Sequence, residues 1–203
     1  MSAISVLRSR MKIMRQSLSI KEQTDAAAAF WSLLSASSFL DAATHIAVYL
    51  AQGGELNLQI TIEALWRQNK RLYLPSLQEQ KLIFKPYQPH TPLKSNRFGI
   101  LEVETGPAFP AEQLDLVLVP LIAFDTACHR IGMGKGYYDH TFAFRKQLLD
   151  PKPFLLGCAY DFQEQSLFTP ATHDVSMDAI LTPTQKKFPA AASASREILR
   201  LIK

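Results

Sequence analysis

Leu116-Val-Leu-Val-Pro-Leu-Ile-Ala-Phe124-Asp125, continued by Thr126-Ala-Cys-His-Arg-Ile-Gly-Met-Gly-Lys-Gly-Tyr-Tyr-Asp-His-Thr-Phe142, is the stretch whose reading decides the fold. The apolar run Leu116 to Phe124, bounded by Asp115 and Asp125, is too short to span a membrane and reads as a strand buried on both faces, with Pro120 near an end or a bulge. Gly132, Gly134 and Gly136 then alternate with Met133 and Lys135, so that successive backbone N–H groups can converge on one anion without side chains in the way. A helix is expected from near Tyr137, with Tyr138, Phe142 and Leu149 spaced for an inward face and the glycines at its positive end. Strand, glycine nest, Lys135 and helix start together describe a phosphate cradle. It is not a P-loop, because the required first glycine is His129 and the residue after Lys135 is Gly136, not Ser or Thr. Nor does the glycine spacing match a dinucleotide fingerprint. Arg130 and Lys135 beside the glycines favour an anion site over a turn that binds nothing.

The remaining composition narrows the class. With 203 residues, 47% hydrophobic and 20% charged, the chain suits one domain with a sizeable core. A net charge of +4 admits nucleic acid, yet the basic residues are scattered, and a polyanionic small molecule explains the charge equally well. Cys128 and Cys158 have neither zinc spacing nor disulfide-scaffold density, and no HxxxH-type histidine pair occurs. The apolar residues near the amino terminus are interrupted by Arg8, Arg10, Lys12 and Arg15, which leaves no signal-peptide core and suggests a cytoplasmic protein.

Along the chain, Ile4, Leu7, Met11, Met14 and Leu18 share one helical face, and Arg8, Lys12 and Arg15 share another. Lys12 and Arg15 read as solvated surface. Ser19 and Glu22 form a capping box for a second helix through Phe30, Trp31 and Leu34. His45 to Leu50 reads as a buried first strand ending at Gln52-Gly-Gly-Glu55, which places Glu55 at a strand's carboxyl rim. A crossover helix around Ile60 to Trp66 leads to a strand at Arg71 to Pro75, and Lys81 to Tyr87 alternates as an antiparallel edge strand beside it. Phe154 to Ala159 and Asp178 to Thr182 complete the strands, the latter as the last. Residues 184 to 203 read as a peripheral helix or partly disordered extension. The alternation of elements predicts a single, mostly parallel, three-layer α/β domain.

Val119-Pro-Leu-Ile-Ala-Phe-Asp125 and Arg130-Ile-Gly-Met-Gly-Lys-Gly-Tyr-Tyr-Asp139 resemble the signature of the 5-formyltetrahydrofolate cyclo-ligase (5,10-methenyltetrahydrofolate synthetase) family. The likeness extends to Tyr49-Leu-Ala-Gln-Gly-Gly-Glu55, Lys70 to Pro75, Asn96-Arg-Phe-Gly-Ile100, His173-Asp174 and Asp178-Ala-Ile-Leu-Thr-Pro183, covering roughly residues 4 to 183. It implies a sheet of the ribose-phosphate isomerase and CoA transferase kind, and ATP- and Mg²⁺-dependent closure of folinic acid, with or without a polyglutamate tail, by a monomer. It implies ATP contacts at Ile4, Arg8, Arg130, Ile131, Gly132, Met133, Gly134, Lys135, Gly136, Tyr137 and Tyr138, with Lys135, Arg130 and Tyr138 serving the chemistry. Folate contacts are implied at Leu50, Glu55, Phe98, Met133 and Tyr137, and metal contacts at Asp139 and Asp178. The chain departs from the family pattern at Ile4, where a basic residue is usual, at Met133, where Arg is frequent, at Cys128, where Gly is, and at Val103 in place of Pro. Two rivals remain open: a sugar-phosphate isomerase-like enzyme on the same fold with Glu55 as base and no need of ATP, and a basic RNA-binding module with steep salt dependence.

Overall fold

Residues 2–148, 151–166 and 168–189 are described in the computed structural model. In chain order the elements are α1 (Ala3–Gln16), α2 (Ile20–Ser35), β1 (His45–Ala47), α3 (Gln59–Arg67), β2 (Arg71–Gln78), β3 (Lys81–Tyr87), β4 (Leu93–Ser95), β5 (Leu101–Val103), β6 (Leu116–Pro120), β7 (Ala123–Phe124), β8 (Arg130–Ile131), α4 (Tyr137–Phe142), β9 (Phe154–Cys158), β10 (Ala179–Leu181) and β11 (Lys186–Lys187). Among the described residues a seven-stranded sheet forms in the order β11, β10, β9, β6, β1, β2, β3. Its inner neighbours are all parallel, and only β3 and β11 at the two edges run antiparallel.

The period-two alternation of strands sorts the apolar residues into two cores. Ile46, Val48, Leu116, Leu118, Leu156, Ala179 and Leu181 meet Phe30 and Leu34 of α2 and Ile62 and Leu65 of α3. Ala47, Val117, Val119, Leu155 and Ile180 face Phe142 of α4 and Phe84 of β3 on the other side. Fully burying one such side chain stabilises by roughly 1.5–3 kcal/mol. The mostly parallel three-layer prediction therefore stands. The Ser19 and Glu22 capping box is present in full, with Glu22 N donating to Ser19 Oγ and the Glu22 carboxylate accepting from Ser19 N at 2.7 Å.

Several local expectations change. The run from Leu116 to Phe124 is two strands, because Pro120 has no N–H to continue the ladder; β6 ends there, and β7 turns off to pair with β8. The first strand is shorter than His45 to Leu50. Asp178 to Thr182 does not contain the last strand, since the chain after residue 184 returns as β11 against β10 instead of leaving as a helix. The remainder of that extension, from 190 on, and Leu149 lie outside the described residues. Ile4 is half exposed and so does not join the inward face of α1. Arg15, expected on the surface, is 2% exposed, because it lies one helical turn beyond Met11 on the face that docks. Lys12 is exposed, as expected. No helix among the described residues is long and apolar enough to cross a membrane.

Candidate active site

Neighbours β1 and β6 continue in opposite directions across the sheet: β1 leads through α3 to β2, and β6 leads through α4 to β9. Such a reversal leaves a crevice at the carboxyl ends of the strands, because the two crossovers cover opposite faces. The turn after β1 brings Tyr49, Leu50 and Glu55 there, and the segment after β9 brings Tyr160, whose hydroxyl donates to the Glu55 carbonyl at 3.4 Å. The break after β6 exposes the carbonyls of Leu121 and Ile122. Both accept from Gln163 Nε2 at 2.8 Å, so the broken ladder is repaired by a side chain.

The glycine loop follows β8. Gly134 has φ +92° and Gly136, which precedes α4, has φ +66°; both are conformations that side chains disfavour. Two guanidinium groups crowd this loop. Arg8 Nε of α1 donates to the Gly132 carbonyl at 2.8 Å, and a Cβ placed on Gly134 would lie 3.2 Å from Arg8 Cζ. A Cβ on Gly132 would lie 2.7 Å from Arg130 Nη1. The glycines thus leave the loop's surface to cations. Helix α4 is only six residues long before tightening into a 3₁₀ segment at Ala143–Gln147, so its dipole contributes less than the cations do. Lys135 is exposed and without a partner among the described residues.

Arg130 is fixed by its neighbours. Nη2 donates to Asp139 Oδ1 at 2.7 Å, and Cζ lies 5.6 Å from the Tyr138 ring centroid. Asp139 Oδ1 also accepts from Val175 N at 3.0 Å. Burial pushes the Tyr138 phenol well above its ordinary range, and nearby Glu55 adds to this while Arg130 opposes it. Tyr138 therefore stays protonated at neutral pH, which suits a hydrogen-bond donor and not a base. Burial likewise raises Glu55, against the Gln52 N–H at 3.0 Å and the Arg15 charge.

A turn between β4 and β5 supplies the apolar wall. Asn96 Oδ1 accepts from Phe98 N at 2.8 Å and Ile100 N at 3.1 Å, which holds the turn. Gln52 Nε2 donates to the Gly99 carbonyl at 2.6 Å, and Arg97 Nη2 donates to Tyr137 Oη at 3.3 Å while lying over the Phe98 ring. The turn thereby bridges the Glu55 segment and α4, with Phe98 44% and Met133 63% exposed. Phe98 is no buried anchor.

The structure brings together Arg8, Arg130, the glycine loop, Tyr137 and Tyr138, with Glu55 beside Tyr138. Leu50 packs at the edge of the α2 and α3 core. Ile131 turns its side chain into a separate cluster with Met11 and Ile122, so only its backbone faces the loop. Asp178 stands elsewhere: at the amino end of β10 its Oδ2 accepts from Arg145 Nη2 at 2.6 Å and Leu155 N at 2.7 Å, tying the end of the α4 crossover to the sheet. The two acids thus serve separate arginines, and no cluster of three or more metal-ligating side chains exists among the described residues. Both hydrogen bonds to Asp139 fall on Oδ1, which leaves Oδ2 as the oxygen that could face a cation, and Asp178 stands apart from it. A groove of about 500 Å³ lined by Trp66, Arg71 and Tyr87 shares no residue with this site.

Sequence reasoning missed Arg15, Arg97, Tyr49 and Tyr160 as members of the crevice. For Arg15 the signal was its four-residue step from Met11, and for Arg97 its place between Asn96 and Phe98.

Fold and loop define an α/β protein with a cation-flanked glycine loop at the reversal point of a mostly parallel sheet. The family model described as "5-formyltetrahydrofolate cyclo-ligase family" matches residues 1–183. A curated 5-formyltetrahydrofolate cyclo-ligase of Haemophilus influenzae is 38% identical over 145 residues, 68% of this chain and 75% of the relative. That of Escherichia coli K12 is 37% identical over 145 residues, 69% and 78% of the two chains. Among solved structures, the Aquifex aeolicus 5,10-methenyltetrahydrofolate synthetase superposes with a TM-score of 0.79 at 26% identity, over 92% of this chain and 93% of that one. The chain belongs to the 5-formyltetrahydrofolate cyclo-ligase family.

Proposed function

We propose that the protein cyclises 5-formyltetrahydrofolate to 5,10-methenyltetrahydrofolate at the expense of ATP. The observation that carries this reading is the convergence of Arg8 and Arg130 on the glycine loop, two cations against one loop beside a crevice with an acid at its floor. An isomerase acting on a sugar phosphate has no use for ATP, so dependence on ATP separates the two.

The N5-formyl group is an amide and a poor electrophile. Transfer of the γ-phosphoryl group to the formyl oxygen makes that oxygen a leaving group; N10 then attacks the formyl carbon, its proton is lost, and inorganic phosphate departs with its oxygen. Catalysis of this kind is mostly alignment and charge stabilisation. Arg8, Arg130 and the N–H groups of the loop hold the phosphates, with Lys135 at the transferring end. Magnesium supplies charge neutralisation on the phosphates when bound, beside Asp139. Phe98, Met133 and Tyr137 wall the folate, and Glu55 accepts from its N–H donors. The test is purified protein with folinic acid and MgATP, followed at the near-ultraviolet absorbance of the methenyl product. Absence of that product, or its formation without ATP, overturns the assignment.

A further inference from the structure

Arg15 is buried between the Glu55 turn and the end of β6, and its donors are poorly used. Nη1 lies 3.9 Å from Glu55 Oε1 and 3.4 Å from the Leu121 carbonyl, and Nε has no partner. Arg130 and Arg145 also have an idle Nε, but each is held by a carboxylate at 2.7 or 2.6 Å, whereas the carboxylate facing Arg15 stands off at 3.9 Å, an arrangement that stabilises a buried charge poorly. The turn that carries Glu55 closes directly onto this residue, since a Cβ on Gly54 would lie 2.7 Å from the Arg15 carbonyl oxygen. Arg15 therefore joins the ends of β1 and β6 from a helix outside the sheet.

Glu55 has few other means of support. Oε2 accepts from Gln52 N at 3.0 Å. The ionisable groups around it are Arg15 from α1, Tyr49 after β1, Tyr138 from α4 and Tyr160 after β9. The hydroxyls of Tyr49 and Tyr160 are spent on backbone carbonyls, leaving Arg15 as the positive charge that acts on the acid among the described residues.

We propose that Arg15 is a positioning residue for the folate: its guanidinium, 3.9 Å from Oε1, and the Gln52 N–H on Oε2 together hold the Glu55 carboxylate in place, so that the acid accepts the adjacent N–H donors of the pteridine's aminopyrimidinone edge. The inference rests on the reading above and adds the residue that sets the state of its acid. Burial opposes the charged form of Glu55, and Arg15 opposes that effect; without Arg15 the carboxyl takes up its proton at higher pH and presents a donor where an acceptor is required.

The experiment compares wild type, R15Q, R15K and E55Q by the pH dependence of KM for 5-formyltetrahydrofolate at saturating MgATP. In R15Q the acidic rise of KM moves to higher pH, as for loss of a counter-charge beside a buried acid, while kcat changes by less than about threefold. R15K restores most of the shift. E55Q raises KM without an acidic rise, and R15Q added to E55Q moves the profile no further. An acidic rise at the same pH in R15Q and wild type, or equal impairment in R15Q and R15K, overturns the role of Arg15. Carbon-13 titration of the Glu55 carboxyl in ligand-free wild type is independent of variant folding: it is ionised at neutral pH if the proposal holds, and protonated there if it fails. A wild type inert on folate with an ionised Glu55 overturns the assigned reaction; an active wild type with an unmoved profile in R15Q overturns Arg15 alone.

Discussion

Replacing Gly134 by alanine tests the cradle with a single carbon atom. At φ +92° an L side chain costs roughly 1–2 kcal/mol in backbone strain. The added Cβ would sit 3.2 Å from Arg8 Cζ and 3.3 and 3.4 Å from its two terminal nitrogens, so the guanidinium must give way by a few tenths of an ångström. Arg8 is at the same time held by its Nε bond to the Gly132 carbonyl, and retreating strains that bond. A charge-assisted hydrogen bond to phosphate contributes about 1.5–3 kcal/mol, so its loss weakens ATP binding by roughly 10- to 150-fold. Calorimetric titration with ATP measures this directly, and Gly106→Ala is the control. Gly106 also has positive φ, +135°, but nothing within 4 Å of its Cβ position, so it carries strain without a cation. The expected result is a folded G134A with ATP affinity reduced in that range and a G106A that loses stability alone. ATP affinity within about threefold of wild type in G134A, well short of the energy of one charge-assisted bond, refutes the placement of the phosphates.

Lys135→Met keeps the apolar stem and removes the charge at the transferring end, with an expected fall in kcat on the order of 10²- to 10³-fold in steady-state assays; a rise in KM for ATP alone would remove Lys135 from the chemistry. Asp178→Asn, at the amino end of β10, is expected to lower the melting temperature by loosening Arg145, with an unchanged magnesium requirement, whereas Asp139→Asn frees Arg130 and is expected to raise the magnesium needed for half-maximal rate. Equal magnesium dependence in both variants would argue against Asp139. Cys128, fully buried, has its thiol pushed up to about 11 from the ordinary thiol value of 9.0, chiefly by burial. The unfolded chain then loses that proton first, so the stability this thiol contributes is full below pH 9 and is lost as pH rises through about 11. Denaturant titrations over that interval should show a shallower alkaline decline in Cys128→Ala than in wild type, and the thiol should react with disulfide reagents only on unfolding.

Much of this was readable in advance, for reasons that are local. Leu116 to Val119 are apolar without alternation because both faces of β6 are covered, and the glycines around Lys135 mark a loop that takes positive φ at Gly134 and Gly136. Ser19 and Glu22 state their own cap. What could not be read depends on partners far away in sequence. Arg15 sits in a basic stripe like any exposed one, and only the arrival of the Glu55 turn and the end of β6 makes it buried. Asp178 matches a family acid in a linear motif, yet its strand position aims it at Arg145. The break at Pro120 was visible as a proline, but its repair by Gln163 was not, since nothing near Gln163 in sequence points to the carbonyls it serves.

Helix α1 belongs to neither main core; Met11 joins Ile122, Ala123 and Ile131 in a small cluster of its own. It nonetheless delivers Arg8 to the glycine loop and Arg15 to Glu55. Arg8 and the carbonyl it grips are 124 positions apart in the chain, so the helix is translated long before its dock exists. During synthesis it waits as an amphipathic segment with an uncovered apolar stripe, and the proposed site is incomplete until the loop after β8 has left the ribosome. Closure over so long a separation is slow compared with the local pairing of β2 and β3. Competence for ligand is therefore a late event in the life of the nascent chain, and an N-terminal fusion that hinders this docking would yield protein with a sound sheet and no activity.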